Sequence, residues 1–141
     1  MKRLEEKSFE EISAADLDSL IGREENQHLE FKETIDKRTD GKRTENWELA
    51  KDLASISNGG GGYLIIGVIE DANTKRCSGF RSINDPEGVR KRLKDVGLNY
   101  VRGRLSLSPE VRQTSAREQV IWLQIPNSSE PRAVEFDGKT E

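Results

Sequence analysis

The sequence predicts a single folded domain built from both helices and strands. Its 141 residues are the length of one domain and leave no room for a second independent core. Three segments place apolar residues at helical spacing, and several others alternate or run continuously as strands do. Charged residues make up 35% of the chain, well above the usual ~25%. We therefore expect a very soluble domain with a small core over residues 13–141, preceded by a tail over residues 1–12.

Three segments carry the start and stop signals of helices. Ser13 is a capping residue followed by an acidic first turn, and Gly22 is a stop signal. The second segment repeats apolar residues at spacings of three and four and ends at Asn58-Gly59. Asp85 and Pro86 open the third. The predicted helices run from Ala14 to Ile21, from Asn46 to Ile56, and from Pro86 to a stop at Gly97.

Alternation and continuous apolar runs predict the strands. From His28 to Glu33 the alternation sends Leu29 and Phe31 to the core and leaves the opposite face available for function. The unbroken run Tyr63 to Ile69 is typical of a strand buried on both faces, so we expect it to be central. Further strands are predicted at Arg76 to Phe80, Leu105 to Gln113, Gln119 to Ile125, and from Ala133 to Phe136.

The end of the chain carries a hairpin signal. Asp137-Gly138 favours a two-residue turn, yet only three residues follow it, so we expect the return strand to be missing. Two interpretations stay open. Either the sequence is cut from a longer protein with a further C-terminal domain, which we favour, or the edge of the last strand is left for a partner such as a second copy of the chain.

Composition excludes several classes of protein. The run Tyr63 to Ile69 is far shorter than the ~20 apolar residues of a membrane-spanning helix, and the N-terminus is too charged for a signal peptide. The single cysteine, Cys77, cannot form an intramolecular disulfide, and the single histidine, His28, cannot supply a His/Cys zinc cluster. Cytoplasmic residence is the simplest expectation.

The net charge of −3 conceals a gradient along the chain. Residues 1–36 hold 5 basic and 11 acidic side chains, whereas residues 75–104 hold 9 basic and 3 acidic ones. Because salt screens each charge beyond about 8–10 Å, a local positive field attracts phosphate whatever the total charge. The alternative is an ordinary solvated helix face. A predicted polar loop between Asp36 and Thr44 adds the cations Lys37, Arg38, Lys42 and Arg43.

Three motifs in order resemble a known family. They are Glu25-Asn26-Gln27-His28-Leu29-Glu30-Phe31-Lys32, the helix end Ser57-Asn58-Gly59, and Gly61-Gly62-Tyr63-Leu64-Ile65-Ile66-Gly67-Val68. Their order and spacing resemble the Schlafen-type AlbA-like domain, also called divergent AAA, from about Asp16 to Phe80 and more loosely to Phe136. The resemblance implies an α+β fold with about three helices on a mixed sheet. It also implies nucleic-acid binding and, in some relatives, RNA cleavage by three carboxylates and a metal ion.

Carried over residue by residue, the resemblance places the first two carboxylates at Glu25 and Glu30. The third falls on Glu70 or Asp71, because Ile69 stands where relatives often have Asp. Clustered carboxylates suit Mg²⁺ or Mn²⁺, which can activate water. Since a separation of five puts Glu25 and Glu30 on opposite faces of one strand, both reach one metal only if Glu25 lies in a loop or bulge. Alternatively these are solvated charges, and Glu30 pairs with a neighbouring cation.

Two glycine-containing segments bear on phosphate binding. Asp40-Gly41-Lys42-Arg43-Thr44 lacks the first glycine of a P-loop, the Ser or Thr after the lysine, and a preceding strand, so we expect no ATP binding. The run Gly59 to Gly62 is open to two interpretations. It is a link between helix and strand, or a nest of N–H groups for a phosphate.

The sequence therefore favours a nucleic-acid-binding domain, for DNA or RNA, with mainly phosphate contacts and weak sequence preference. At family level this suggests a transcriptional regulator or a defence protein. The alternatives are a metal-dependent endoribonuclease using Glu25, Glu30 and Glu70 or Asp71, and an assembly module that forms homodimers. The residues predicted to bind nucleic acid are Lys32, Lys37, Arg38, Lys42, Arg43, Arg90, Lys91 and Lys94.

Overall fold

A computed structural model describes residues 12–35, 42–102, 104–127, 135–136 and 139–140. Its helices are α1 (Ala14–Asp18), α2 (Lys42–Asn58) and α3 (Pro86–Asn99). Its strands are β1 (Leu29–Lys32), β2 (Gly62–Ile66), β3 (Val68–Glu70), β4 (Cys77–Phe80), β5 (Glu110–Gln113), β6 (Gln119–Ile125), β7 (Glu135–Phe136) and β8 (Lys139–Thr140). No helix in these ranges is long and apolar enough to cross a membrane.

A four-stranded mixed sheet forms the centre of the fold, in the order β1-β2-β6-β5. β1 pairs with β2 in parallel, and the other two pairs are antiparallel. With three helices packed around it, this mixed sheet confirms the predicted α+β class. The position of β2 between β1 and β6 also confirms that this segment is central.

Both faces of the sheet are covered. Leu64 and Ile66 of β2 point toward α2 and α3 and form one core cluster with apolar residues of those helices. The alternate residues Tyr63 and Ile65 point to the opposite face, where α1 and the β3–β4 hairpin enclose a second cluster. The fully buried Trp122 belongs to this second cluster and meets Tyr63 edge to face, with ring centroids 5.1 Å apart.

α1 and α3 begin directly after their predicted capping residues, but the ends of these two helices and the start of α2 differ from the prediction. Ser13 and Asp16 form a capping box at α1, which ends at Asp18, three residues before the predicted Ile21. α2 begins at Lys42 rather than Asn46, so the last part of the predicted loop, including Lys42 and Arg43, is helical. α3 runs two residues past Gly97, so this glycine is not a stop signal; it allows the close approach of Leu105, whose N–H donates to the Gly97 carbonyl at 2.8 Å.

The predicted strand Tyr63 to Ile69 is two strands, so that prediction was wrong. The break is Gly67, whose φ of 109° is unfavourable for other residues. Its N–H still donates to the Lys32 carbonyl of β1, whereas its carbonyl accepts from Arg81, which follows β4. The chain therefore leaves the main sheet at Gly67, and β3 pairs with β4 as a separate hairpin.

Two other strand predictions need correction. Of the segment Leu105 to Gln113, only Glu110–Gln113 pairs as a strand, because Leu105 and Leu107 are buried against the α3 cluster instead. At the end of the chain, a two-residue return strand is present: Glu135 pairs with Thr140, and Phe136 pairs with Lys139. The expectation that the return strand is missing was therefore wrong.

Candidate nucleic-acid interface and carboxylate cluster

One helix and the turn after it carry a concentration of cations. Between residues 86 and 104 the sequence places six basic side chains against two acidic ones, Glu87 and Asp95. The basic residues are Arg90, Lys91, Arg92 and Lys94 on α3, and Arg102 and Arg104 just beyond it.

Two of the α3 arginines help to hold the fold. Nε of Arg90 donates to the Pro109 carbonyl at 2.8 Å, and its Nη1 pairs with Glu87 at 2.9 Å. Nε of Arg92 donates to Oδ1 of Asn46 at 2.8 Å and so ties α3 to α2. Lys91 and Lys94 are exposed and have no ion-pair partner within the described part of the chain. These two lysines are the cations of α3 best placed to meet a phosphate.

The other predicted cations are distributed differently. Lys32 lies 2.7 Å from the Asp52 carboxylate of α2, so it is an ion-pair partner inside the fold. Lys37 and Arg38 lie outside the described residues, as do the side chains of Lys42 and Arg43. The backbone of Lys42 is one helical turn before Asn46, which contacts α3, so the start of α2 lies beside the basic helix.

Glu25 sits in the segment before β1, outside the regular strand. Its Oε2 accepts the Phe31 N–H at 2.7 Å, on the edge of β1 that faces away from β2. We predicted that Glu25 can approach Glu30 only if it lies outside the regular strand. Glu25 does lie outside β1. Glu25 is also one of the groups that raise the pKa of Glu30.

Glu30 is half-buried on β1, and its environment raises its pKa to about 7. Burial is the largest cause, followed by the negative charges of Glu25 and Asp52, and the positive charge of Lys32 opposes them. Burial and then Glu25 likewise raise the pKa of Glu70, at the end of β3. Glu25 is therefore the common neighbour of the other two carboxylates.

Asp71 has a different role from Glu70. Its Oδ1 accepts the N–H groups of Asn73 at 2.8 Å and Thr74 at 2.9 Å, and these bonds lower its pKa. The Asp71 side chain thereby closes the turn between β3 and β4. Of the two residues that the sequence left open for the third position, Glu70 is the one that interacts with Glu25.

The described carboxylates do not form a metal site. No group of three His, Cys, Asp or Glu side chains in those ranges has an arrangement that could hold a metal ion. Asp52, whose charge also raises the pKa of Glu30, was not predicted from the sequence as a site residue. No local pattern distinguishes it from other polar residues of α2.

The glycine run serves as a link. The N–H groups of Gly59, Gly60 and Gly61 donate to carbonyls in the last turn of α2, as in a helix C-cap. These three donors are thus used within the chain and not presented as a nest. The Gly61 carbonyl in turn lies 2.7 Å from Nδ1 of His28, which packs over this turn.

Known proteins resemble this chain in sequence and in fold. The family model described as Schlafen, AlbA_2 matches residues 25–140. A solved structure with a similar fold is the N-terminal domain of a protein from Nitrosomonas europaea whose name relates it to the ATP-dependent DNA helicase RecG. It is 22% identical with a TM-score of 0.61, and the match covers 92% of this chain and 85% of that one. Curated proteins show no significant match.

Proposed function

Because the chain belongs to the Schlafen AlbA_2 family, we propose that it binds nucleic acid, DNA or RNA, mainly through phosphate contacts made by α3 and the neighbouring start of α2. The observation that carries the proposal is the excess of six cations over two acids between residues 86 and 104, on one helix and its following turn. The fold shared with a domain of a helicase-related protein supports it.

Each part of this surface has a separate task in the proposed complex. Lys91 and Lys94 contact phosphates directly, since both are exposed. Arg90 and Arg92 act mainly by positioning the helix, because Pro109 and Asn46 already bind them. Phosphate contacts carry no sequence information, so binding should show little preference for sequence.

Binding should therefore weaken steeply with salt. If about five phosphates are neutralised, the logarithm of the association constant on duplex falls against the logarithm of salt concentration with a slope of about −4 to −5. Fluorescence anisotropy with a labelled duplex and a labelled hairpin RNA, over a series of salt concentrations, measures this slope. A flat dependence, or no binding to either probe at low salt, would reject the proposal.

Charge reversal locates the interface. We expect the double variant Lys91→Glu, Lys94→Glu to weaken binding at least about tenfold and to make the salt slope shallower by about 2. Lys75→Glu is the matched control for each single reversal, Lys91→Glu and Lys94→Glu, because Lys75 is also exposed but lies in the β3–β4 turn, against the opposite face of the sheet. An equal loss of affinity in Lys75→Glu would show that only the total charge of the protein matters. The assignment of the interface to α3 would then be wrong.

The second candidate is RNA cleavage by the carboxylate cluster, with Mg²⁺ or Mn²⁺ as the metal. The observation that favours it is that Glu25 acts on both Glu30 and Glu70, and that burial, followed by the charges of Glu25 and Asp52, raises the pKa of Glu30 to about 7, near the range that general acids and bases require. The lack of a formed metal site in the described residues counts against it.

Incubation of a structured RNA with Mn²⁺ tests this candidate directly. If the cluster is catalytic, cleavage is lost in Glu30→Gln and retained in Asp71→Asn, since Asp71 serves the turn. Cleavage that continues unchanged in Glu30→Gln would be due to a contaminant. Absence of cleavage in the wild-type protein would leave binding as the activity.

A further inference from the structure

A cavity of about 310 Å³ lies next to the proposed interface. Its wall is formed by the residues after β1, the loop between β4 and α3, and the first two turns of α3. This volume is at the lower end of the ~300–1,000 Å³ typical of small-molecule sites. A duplex is too wide for such a cavity, but one unpaired nucleotide is of the right size class.

The wall combines the two kinds of surface that a nucleotide needs. Ile35, Ile83 and Val89 provide an apolar part on which a base can pack. Asn84 is exposed, and its amide offers a donor and an acceptor side by side, which is the pattern that matches the edge of a base.

Two arginines in the same wall supply positive charge, beside the carboxylates of Glu33 and of Asp85, which accepts the Gly88 N–H. Nη1 of Arg81 pairs with the Glu33 carboxylate at 2.9 Å, and both side chains are largely exposed. Exposed pairs of this kind contribute little free energy, so a phosphate can take the place of the carboxylate. Arg92, held by Asn46, extends the positive charge to the α3 side of the cavity.

We propose that this cavity binds a single unpaired nucleotide, with the base against Ile35, Ile83 and Val89 and the phosphate at Arg81. The inference rests on the proposed function and deepens it, because the same α3 that contacts the phosphates of a strand also lines the cavity. The domain then prefers single-stranded or frayed ends over a closed duplex.

The test compares one oligonucleotide, labelled with 2-aminopurine at an unpaired end, in single-stranded and duplex form. We expect the wild-type protein to bind the single strand about tenfold more tightly than the duplex and to change the 2-aminopurine fluorescence. Asn84→Trp, at an exposed position, blocks the cavity and removes this preference while duplex binding stays unchanged. Val89→Trp fills the cavity from α3 and should do the same. Leu98→Trp, on the exposed side of the same helix, is the matched control and keeps the preference.

The outcomes separate this inference from the proposed function. Duplex binding without preference for the single strand, or a preference that survives both cavity variants, overturns the nucleotide site and leaves phosphate binding intact. Failure of the wild-type protein to bind either form at low salt overturns both proposals.

Adenosine monophosphate distinguishes the source of the ligand. If it raises the melting temperature of the wild type but not of Asn84→Trp, the cavity takes free nucleotides, and if only the oligonucleotide binds, it takes a strand end.

Discussion

Replacing Glu30 by glutamine should raise the free energy of unfolding at pH 8 by about 1–2 kcal/mol, after allowance for solvent screening. The folded chain holds the pKa of Glu30 at about 7, against an ordinary value of 4.5 for a glutamate side chain. Its contribution to stability is therefore complete below pH 4.5 and is lost as the pH rises through about 7. Glutamine has no proton to lose, and its amide can donate to the nearby carboxylates.

Urea unfolding at pH 5 and pH 8 measures the effect. The gain from Glu30→Gln should be near zero at pH 5 and largest at pH 8. Asp71→Asn is the control with the opposite sign, because the fold lowers the Asp71 pKa and its carboxylate stabilises the turn at neutral pH. Equal stability of Glu30→Gln and wild type at pH 8 would show that the cluster is better solvated than its geometry indicates.

An ionisable group that opposes folding at neutral pH needs a reason to persist. A well-packed apolar or amide side chain at position 30 would satisfy the sheet, so the structural requirement alone does not call for glutamate. Strongly shifted carboxylates concentrate at functional sites, where stability is given up for chemistry or binding. The Glu30 environment, with Glu25 and Asp52 nearby, fits that pattern.

Local signals in the sequence predicted much of the fold. The continuous apolar run in β2 requires two buried faces, and the capping residues Ser13 and Asp85 fix the starts of α1 and α3. The break at Gly67 was missed, because the residues on both sides of it are apolar and hid the one local signal, the glycine itself; the partner at the break is Arg81, fourteen residues later.

The candidate site was harder to predict than the fold. Residues 75–104 hold 9 basic and 3 acidic side chains in sequence, yet Arg76 pairs with Glu24 and Arg81 pairs with Glu33. Such pairings join distant segments, so no spacing rule reveals them. The same reason hid Asp52, whose partner Lys32 lies on another element.

Gly62→Ala should lower the free energy of unfolding by about 3 kcal/mol, the largest loss that we expect from one added methyl group. Gly62 begins β2, and a Cβ at this position would overlap the backbone carbonyl of His28. That carbonyl accepts the Tyr63 N–H at 2.8 Å, which is the first bond between β2 and the chain entering β1. Backbone atoms on both sides of the contact cannot move without breaking this pairing.

The matched control for this substitution is Gly79→Ala. A Cβ at Gly79 meets nothing within 4 Å, so its effect should stay within about 0.5 kcal/mol. Chemical unfolding of both variants gives the comparison.

The displacement in Gly62→Ala also acts on the site, because moving β1 separates Glu30 and Lys32 from Asp52 on α2. Glu30 then loses one of the charges that raise its pKa, so the pH dependence of stability should flatten in Gly62→Ala and not in Gly79→Ala. Equal stability of the two variants would mean that β1 tolerates a shift at its start, and the close packing of β1 on β2 would not be what holds the carboxylates together.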